Sequence, residues 1–364
     1  MIKLEMDAQE RVLTTVNHEE PDRVPAFESA FTNNTIVKHY GCDPGRLGNY
    51  KSIYEFSRRV GLDLVLSYVS NYPRELFKGE RGFIDEYGKI MKLEPWKDGT
   101  QILAYHGGSF KNFEDYESFK QPDPNLKTRM DNFLLGRKIQ KEMNNEVFSI
   151  PATGSLMECA WEGFGLEVFS RILARPKQAK KVFDDRGKFT LEMVKILAEN
   201  DAKIVLLWDD YGWKGGLFMS PRNYRKYVFP WIKQICDAAH KRDCKILLHS
   251  DGDLMEIFED IIKSGVDILN PIESTTANPE YDIFKLNEKY GDKLTFAGNL
   301  SPIMLAMGEI SEIEAYAKRL IRELAPGGGY IFSSGHSINP AVTVDRFEAM
   351  HNIRRKFGNY PIKI

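Results

Sequence analysis

"KILLHSDGDL", residues 245–254, runs from an apolar strand straight into His249, Ser250, Asp251, Gly252 and Asp253. Side chains alternate across a strand, so His249 and Asp251 project to the same side. Ile246, Leu247 and Leu248 are apolar on both faces, the mark of a parallel strand covered by helices outside and by core inside. The same texture recurs along the chain. "EVFSIPATG" (146–154), "KIVLLWDD" (203–210), "DILNPIE" (267–273), "LTFAGNL" (294–300) and "GYIFSSGHSI" (329–338) all begin apolar and end polar.

Helix-like stretches such as "LMEIFEDIIKSG" and "EIEAYAKRLIRELAPGG" separate these runs, which predicts βα units and a parallel sheet. "VPAFES" (24–29) and "LDLVLSYV" (62–69) supply two more strands, for a total of eight. Eight is the number that closes a (β/α)8 barrel of the TIM type. "RGFIDEYGKIMKLEP" and "QILAYHGGSF" read as a β-hairpin inserted between the second and third strands, at about residues 80–110. An N-terminal helix over 7–20 opens at Asp7, with Glu10 three residues on, and stops before Pro21. The expectation is one elaborated α/β barrel domain over residues 1–364.

Composition narrows the function. Of 364 residues, 42% are hydrophobic, enough for a core, and the net charge of −2 comes with scattered Lys and Arg. "RRKF" near the C-terminus reads as a solvated helix face, so no nucleic-acid partner is expected. Cys42, Cys159, Cys236 and Cys244 lack metal-ligand spacing and imply no oxidising compartment. Without a signal-peptide core or an apolar run near ~18 residues, a soluble cytoplasmic protein is expected, with no membrane partner. Nothing sets the oligomeric state; a homodimer is one option. "APGGGY" (325–330) precedes a strand and reads as a helix C-cap and tight turn on the face opposite the site.

In such a barrel the C-terminal strand ends form the active site. Reading them in order gives Glu28, Thr153, Asp209 with Asp210, His249 with Asp251, Asn270 with Glu273, Asn299, and Ser334 with His336. Only one of Asp209 and Asp210 can enter the mouth; the other caps a helix or pairs with an arginine. Tyr211 and Trp213 either line a pocket for a flat substrate or pack the loop against the rim. His249, Asp251 and His336 offer three ligands for a catalytic metal with an open position, a set that also suits non-haem iron.

"LHSDGDL", "DILNPIE", "FAGNL" and "APGGGYIFSSGHSINP", with "NHEEPDRVP" near the start, resemble the uroporphyrinogen decarboxylase superfamily over almost the whole chain. The resemblance implies a (β/α)8 barrel and either porphyrinogen decarboxylation or zinc-dependent methyl transfer involving corrinoid proteins. Decarboxylases of this superfamily carry an arginine-rich stretch after the first strand. "PAFESAFTNNTI" has no arginine at that place and contains Glu28.

The methyltransferase branch holds zinc with His-x-Cys and a later Cys. His249 matches the histidine, and Asp251 and His336 stand where the two cysteines fall. This harder set suits an oxygen substrate better than a thiol. The resemblance therefore implies one zinc per chain and methyl transfer from a methoxylated aromatic to the Co(I) of a corrinoid protein docked at the barrel mouth. In that reading Asp210 is catalytic, while Glu28, Asp209, Tyr211, Trp213 and Asn299 contact substrate. A metal-free decarboxylase, an iron oxygenase and a non-catalytic tetrapyrrole-binding protein are the rivals.

Overall fold

Seven parallel strands stand side by side in the order Leu64–Tyr68, Phe148–Gly154, Ile204–Trp208, Lys245–His249, Ile268–Asn270, Thr295–Leu300 and Tyr330–Ser334. The computed structural model describes residues 5–44, 50–77, 81–96 and 99–364. The expected first strand, 24–29, forms no regular strand, yet it occupies the eighth place. Phe27 N–H donates to Phe332 O, Phe332 N–H to Pro25 O, and Asp63 N–H to Ala26 O. It therefore bridges the last strand to the Leu64–Tyr68 strand and closes the barrel. Pro25 has no N–H to give, and that breaks the ladder locally.

Alternation sorts the side chains into two layers. Phe27, Leu64, Leu66, Ile150, Leu206, Leu247, Ile268, Ala297 and Ile331 fill the barrel, and Val12 and Val16 pack against them. Val205, Leu207, Ile246, Leu248, Phe296 and Phe332 face outward into the larger core under the helices. The Ala8–Val16 helix thus plugs the barrel floor. Its start is the expected capping box, with Asp7 accepting from Glu10 N–H and Glu10 accepting from Asp7 N–H. It ends at Val16, four residues early, because the chain turns at His18 (φ 56°).

The insertion is larger than a hairpin. Pro73–Leu76, Gly82–Asp85, Lys89–Pro95 and Gln101–Gly108 form a four-stranded antiparallel sheet. Residues 78–80 and 97–98, which touch the expected hairpin, lie outside the described residues. Gly88 turns at φ +90° where a Cβ would sit 2.4 Å from the Phe110 ring, so only glycine fits. The three glycines of "APGGGY" all have positive φ between the Ile310–Leu324 helix and the next strand, as the turn reading requires. No described helix is long and apolar enough to cross a membrane.

Candidate metal centre

His249 shares the inward parity of Leu247 and ends its strand at the C-terminal mouth. The ring is braced on two sides. Its Nδ1 lies 2.7 Å from Asn270 Oδ1, and Asn270 is itself fixed by donating to Ala297 O at 2.8 Å. An amide oxygen accepts only, so Nδ1 carries the proton and the Nε2 lone pair is left for the mouth. Trp208, the inward residue of the neighbouring strand, packs edge-on with its ring centre 4.3 Å away.

Beyond the strand end Asp251 folds over this ring. One ligand atom each from Asp210, His249 and Asp251 lies within 4.8 Å of the others. Asp251 N–H donates to Asp210 Oδ1 at 2.9 Å, which holds the two loops together. His336, two residues beyond the last strand, stands outside this three-residue group but contacts it, with Nε2 3.2 Å from Asp251 Oδ2 and a half-exposed ring. Asp251 Oδ1, 4.0 Å from His249 Nε2, is buried with no hydrogen-bond partner among the described residues. That orphaned oxygen, facing an imidazole lone pair between two carboxylates and a second histidine, is what a bound divalent cation satisfies. The donors fit zinc.

The electrostatics divide the group. Burial, with Glu158 and Asp251 nearby, pushes the Asp210 carboxyl well above its ordinary range. Burial also opposes charge on Asp251, but its hydrogen bond from His336 and the two imidazoles hold it below the usual carboxylate range. The His336 imidazole is raised by that same hydrogen bond.

The two aspartates of "WDDYGW" separate. Asp209 is fully buried, and its Oδ1 accepts from Met157 N–H (2.6 Å) and Glu158 N–H (3.0 Å) at the start of the Met157–Phe164 helix. It caps the helix of the preceding βα unit and does not reach the mouth, so it is not a substrate contact; Asp210 is the one that does. Burial raises the Asp209 carboxyl to about 7.

Three more substrate contacts expected from sequence are corrected. Glu28 has the outward parity of Ala26 and packs between the barrel wall and the Val344–Phe357 helix. There the Ser334 hydroxyl donates to it and His351 Nε2 lies 3.8 Å away. Tyr211 is wholly buried, its ring against Tyr224 and Phe229, and cannot touch a substrate ring. The Asn299 amide is spent on Ile272 O and the Tyr316 hydroxyl, each at 3.0 Å. Trp213 alone is exposed, on the Gly212–Trp213 edge of a small hairpin whose carbonyl at Trp213 accepts from Asp253 N–H.

Sequence reading missed Trp208 and a buried acid–base group behind Asp210. Lys89, from the inserted sheet, lies 3.2 Å from Glu158 and also pairs with Glu162. Burial lifts the Glu162 carboxyl to about 8. Glu158 and Glu162 are four apart, hence on one helix face, a signal that was legible; nothing local marked Lys89.

Comparison with known proteins agrees with this architecture. A model of the uroporphyrinogen decarboxylase (URO-D) family matches residues 102–357. The uroporphyrinogen decarboxylase of Colwellia psychrerythraea is 25% identical over 237 residues, 61% of this chain and 63% of that protein. That of Geobacter sulfurreducens is 25% identical over 188 residues, 50% of this chain and 52% of that protein. The aligned stretch thus spans between half and two thirds of these relatives. A solved structure, a methyltransferase from Methanosarcina mazei, superposes with a TM-score of 0.71 at 18% identity and covers 97% of this chain and 99% of that one. With 256 of its residues matched by the family model and the barrel shared throughout, this chain belongs to the uroporphyrinogen decarboxylase family.

Proposed function

We propose that this protein is a zinc-dependent methyltransferase that moves a methyl group from a methoxylated aromatic to the Co(I) of a corrinoid protein docked over the barrel mouth. The observation that carries the reading is the grouping of Asp210, His249 and Asp251, with His336 against the second Asp251 oxygen while the first is buried and unpartnered. His249, Asp251 and His336 would hold the metal, and Asp210 stands close enough to be a fourth donor. Bound zinc supplies a Lewis acid for the oxygen that leaves. The ether C–O bond breaks with its electron pair on oxygen, which departs as phenolate. Asn270 keeps His249 in the ligating tautomer, Asp210 holds the Asp251 loop in place, Trp208 offers aromatic surface beside His249, and Trp213 is exposed on the hairpin bonded to Asp253.

A decarboxylase reading has the names of the sequence relatives behind it. Against it, the segment that closes the barrel, "PAFESAFTNNTI", contains no arginine to grip the substrate's carboxylates, and its Glu28 faces away from the mouth. The test is metal content with activity. Purified protein should carry about one zinc per chain, and a His249→Ala, His336→Ala variant should carry almost none. A methoxylated phenol with reduced corrinoid protein should yield the free phenol and methylated corrinoid protein, and loss of the metal should slow this by about a thousandfold, roughly 4 kcal/mol of transition-state stabilisation. Full zinc in the double variant, or turnover of uroporphyrinogen at an enzymatic rate, would overturn the assignment.

A further inference from the structure

The "RRKF" run is solvated only in part: Arg355 and Lys356 are exposed, but Arg354 is buried. Arg354 and Arg355 end the Val344–Phe357 helix beside a cavity of about 270 Å3 that Arg23, Arg58, Arg59 and Asn359 also line. Arg23 and Gly61 lie just before the first two staves of the barrel, so the cavity opens at the end opposite the metal centre. Four of its five arginines have carboxylate partners. Arg23 pairs with Asp63 at 2.9 Å, Arg58 and Arg59 share Glu55 at 2.8 and 2.7 Å, and Arg355 meets Glu348 at 2.7 Å.

Arg354 differs. It is 4% exposed and forms no ion pair among the described residues, and its Nε has no hydrogen-bond partner. Its one hydrogen bond among the described residues runs from Nη2 to Val60 O at 3.4 Å, a carbonyl that Arg355 also reaches at 3.2 Å. Capping the end of the Tyr50–Val60 helix therefore uses one of the five N–H groups of Arg354. Gly61, at φ +83°, admits the guanidinium: a Cβ there would lie 3.1 Å from Nη2. Burial and the neighbouring arginines lower the Arg354 pKa to about 10, with Asp63 opposing them. A buried guanidinium without an anion is rare because its desolvation is uncompensated.

We propose that this cavity binds a phosphate-type oxyanion, either inorganic phosphate or the phosphate of a small monoester, with Arg354 as its buried anchor. A tetrahedral oxyanion offers acceptors in several planes and so accepts N–H forks from more than one guanidinium, whereas a carboxylate fills only one fork. The arginines gather around one open depression of about 270 Å3 and not along a stripe, which favours a small anion over a polynucleotide. The ligand sits away from the mouth and is a stabiliser or effector, separate from methyl transfer.

The test is calorimetric titration and thermal unfolding of the full chain at constant ionic strength, with inorganic phosphate, glycerol phosphate and chloride as probes. Phosphate or its monoester should bind saturably at one site per chain and raise the melting temperature, while chloride should not. The tighter of the two identifies the source. Arg354→Met should weaken binding at least tenfold while keeping or raising the melting temperature in chloride, because it removes an unpaired buried charge. Arg59→Ala, at a half-exposed position, should weaken binding several-fold with the fold intact. Absence of saturable binding by the native protein overturns the proposal. So does an Arg59→Ala variant with native affinity together with an Arg354→Met variant that melts early in both salts, since Arg354 is then only a helix cap.

Discussion

Near the barrel floor Asp63 accepts hydrogen bonds from Arg11, Arg23 and the Ala26 amide, and Arg11 goes on to Asp22. At the mouth Asp251 has one oxygen beside His336 and another with no partner, and a second carboxylate, Asp210, stands against it. Both groups are largely buried and carry several charges. The lower network is closed: each carboxylate meets guanidinium forks, and the desolvation cost is offset by several charge-assisted hydrogen bonds. The upper one is short of cations. Buried charge that is fully satisfied holds a fold together, and buried charge left open marks where something else binds.

Substitution on the two sides should expose that difference. Asp63→Asn leaves Arg11 and Arg23 short of a counter-charge and should cost about 3–5 kcal/mol in chemical denaturation. Asp251→Asn in metal-stripped protein loses the charge-assisted contact with His336 but relieves a repulsion with Asp210, and the two should leave stability within about 1 kcal/mol of the native protein. Similar losses for the two variants would erase the distinction.

A smaller effect tests whether the upper group is organised for a ligand. Asn270→Ala frees the His249 ring to rotate and to change tautomer. Zinc affinity, measured by competition with a chelator, should fall about 10- to 100-fold. An unchanged affinity would mean that Asn270 serves only the strand to which it belongs.

The last test concerns Glu28, an acid that neither network includes. Burial raises its carboxyl to about 8, against 4.5 as its ordinary value. Between those values the folded chain keeps a proton that the unfolded chain has released, so stability falls as pH rises. The slope from this group is at most about 1.4 kcal/mol per pH unit. Glu28→Gln should flatten the profile between pH 5 and 8, read from denaturation midpoints. An unchanged slope would show that Glu28 is already ionised there and belongs with the satisfied group.

How far the sequence could be read depends on the range of each signal. The βα alternation and the Asp7–Glu10 capping box are local patterns, and the barrel and the first helix follow them. The first stave was legible as a strand but not as an irregular one, since its pairing comes from chain 37 and 306 residues away. The inserted sheet was half seen, because Pro73–Leu76 is exposed and carries no apolar alternation.

The site divides along the same line. Strand alternation by itself put His249 and Asp251 on one side, and reading the strand ends named Asp210 and His336 as candidates. Tertiary structure decided the rest. Asp209 became a cap and Asp210 a site residue because a helix N-terminus from the preceding βα unit arrives beside the first and not the second. Glu28, read as mouth-lining, turned to His351 because barrel closure set its parity outward. Arg354, read as solvated, was buried by the packing of the last helix against Val60 and Gly61. Periodicity reaches only a few residues along the chain. Which charge meets which depends on how the ring of strands closes, and that is a property of the whole fold.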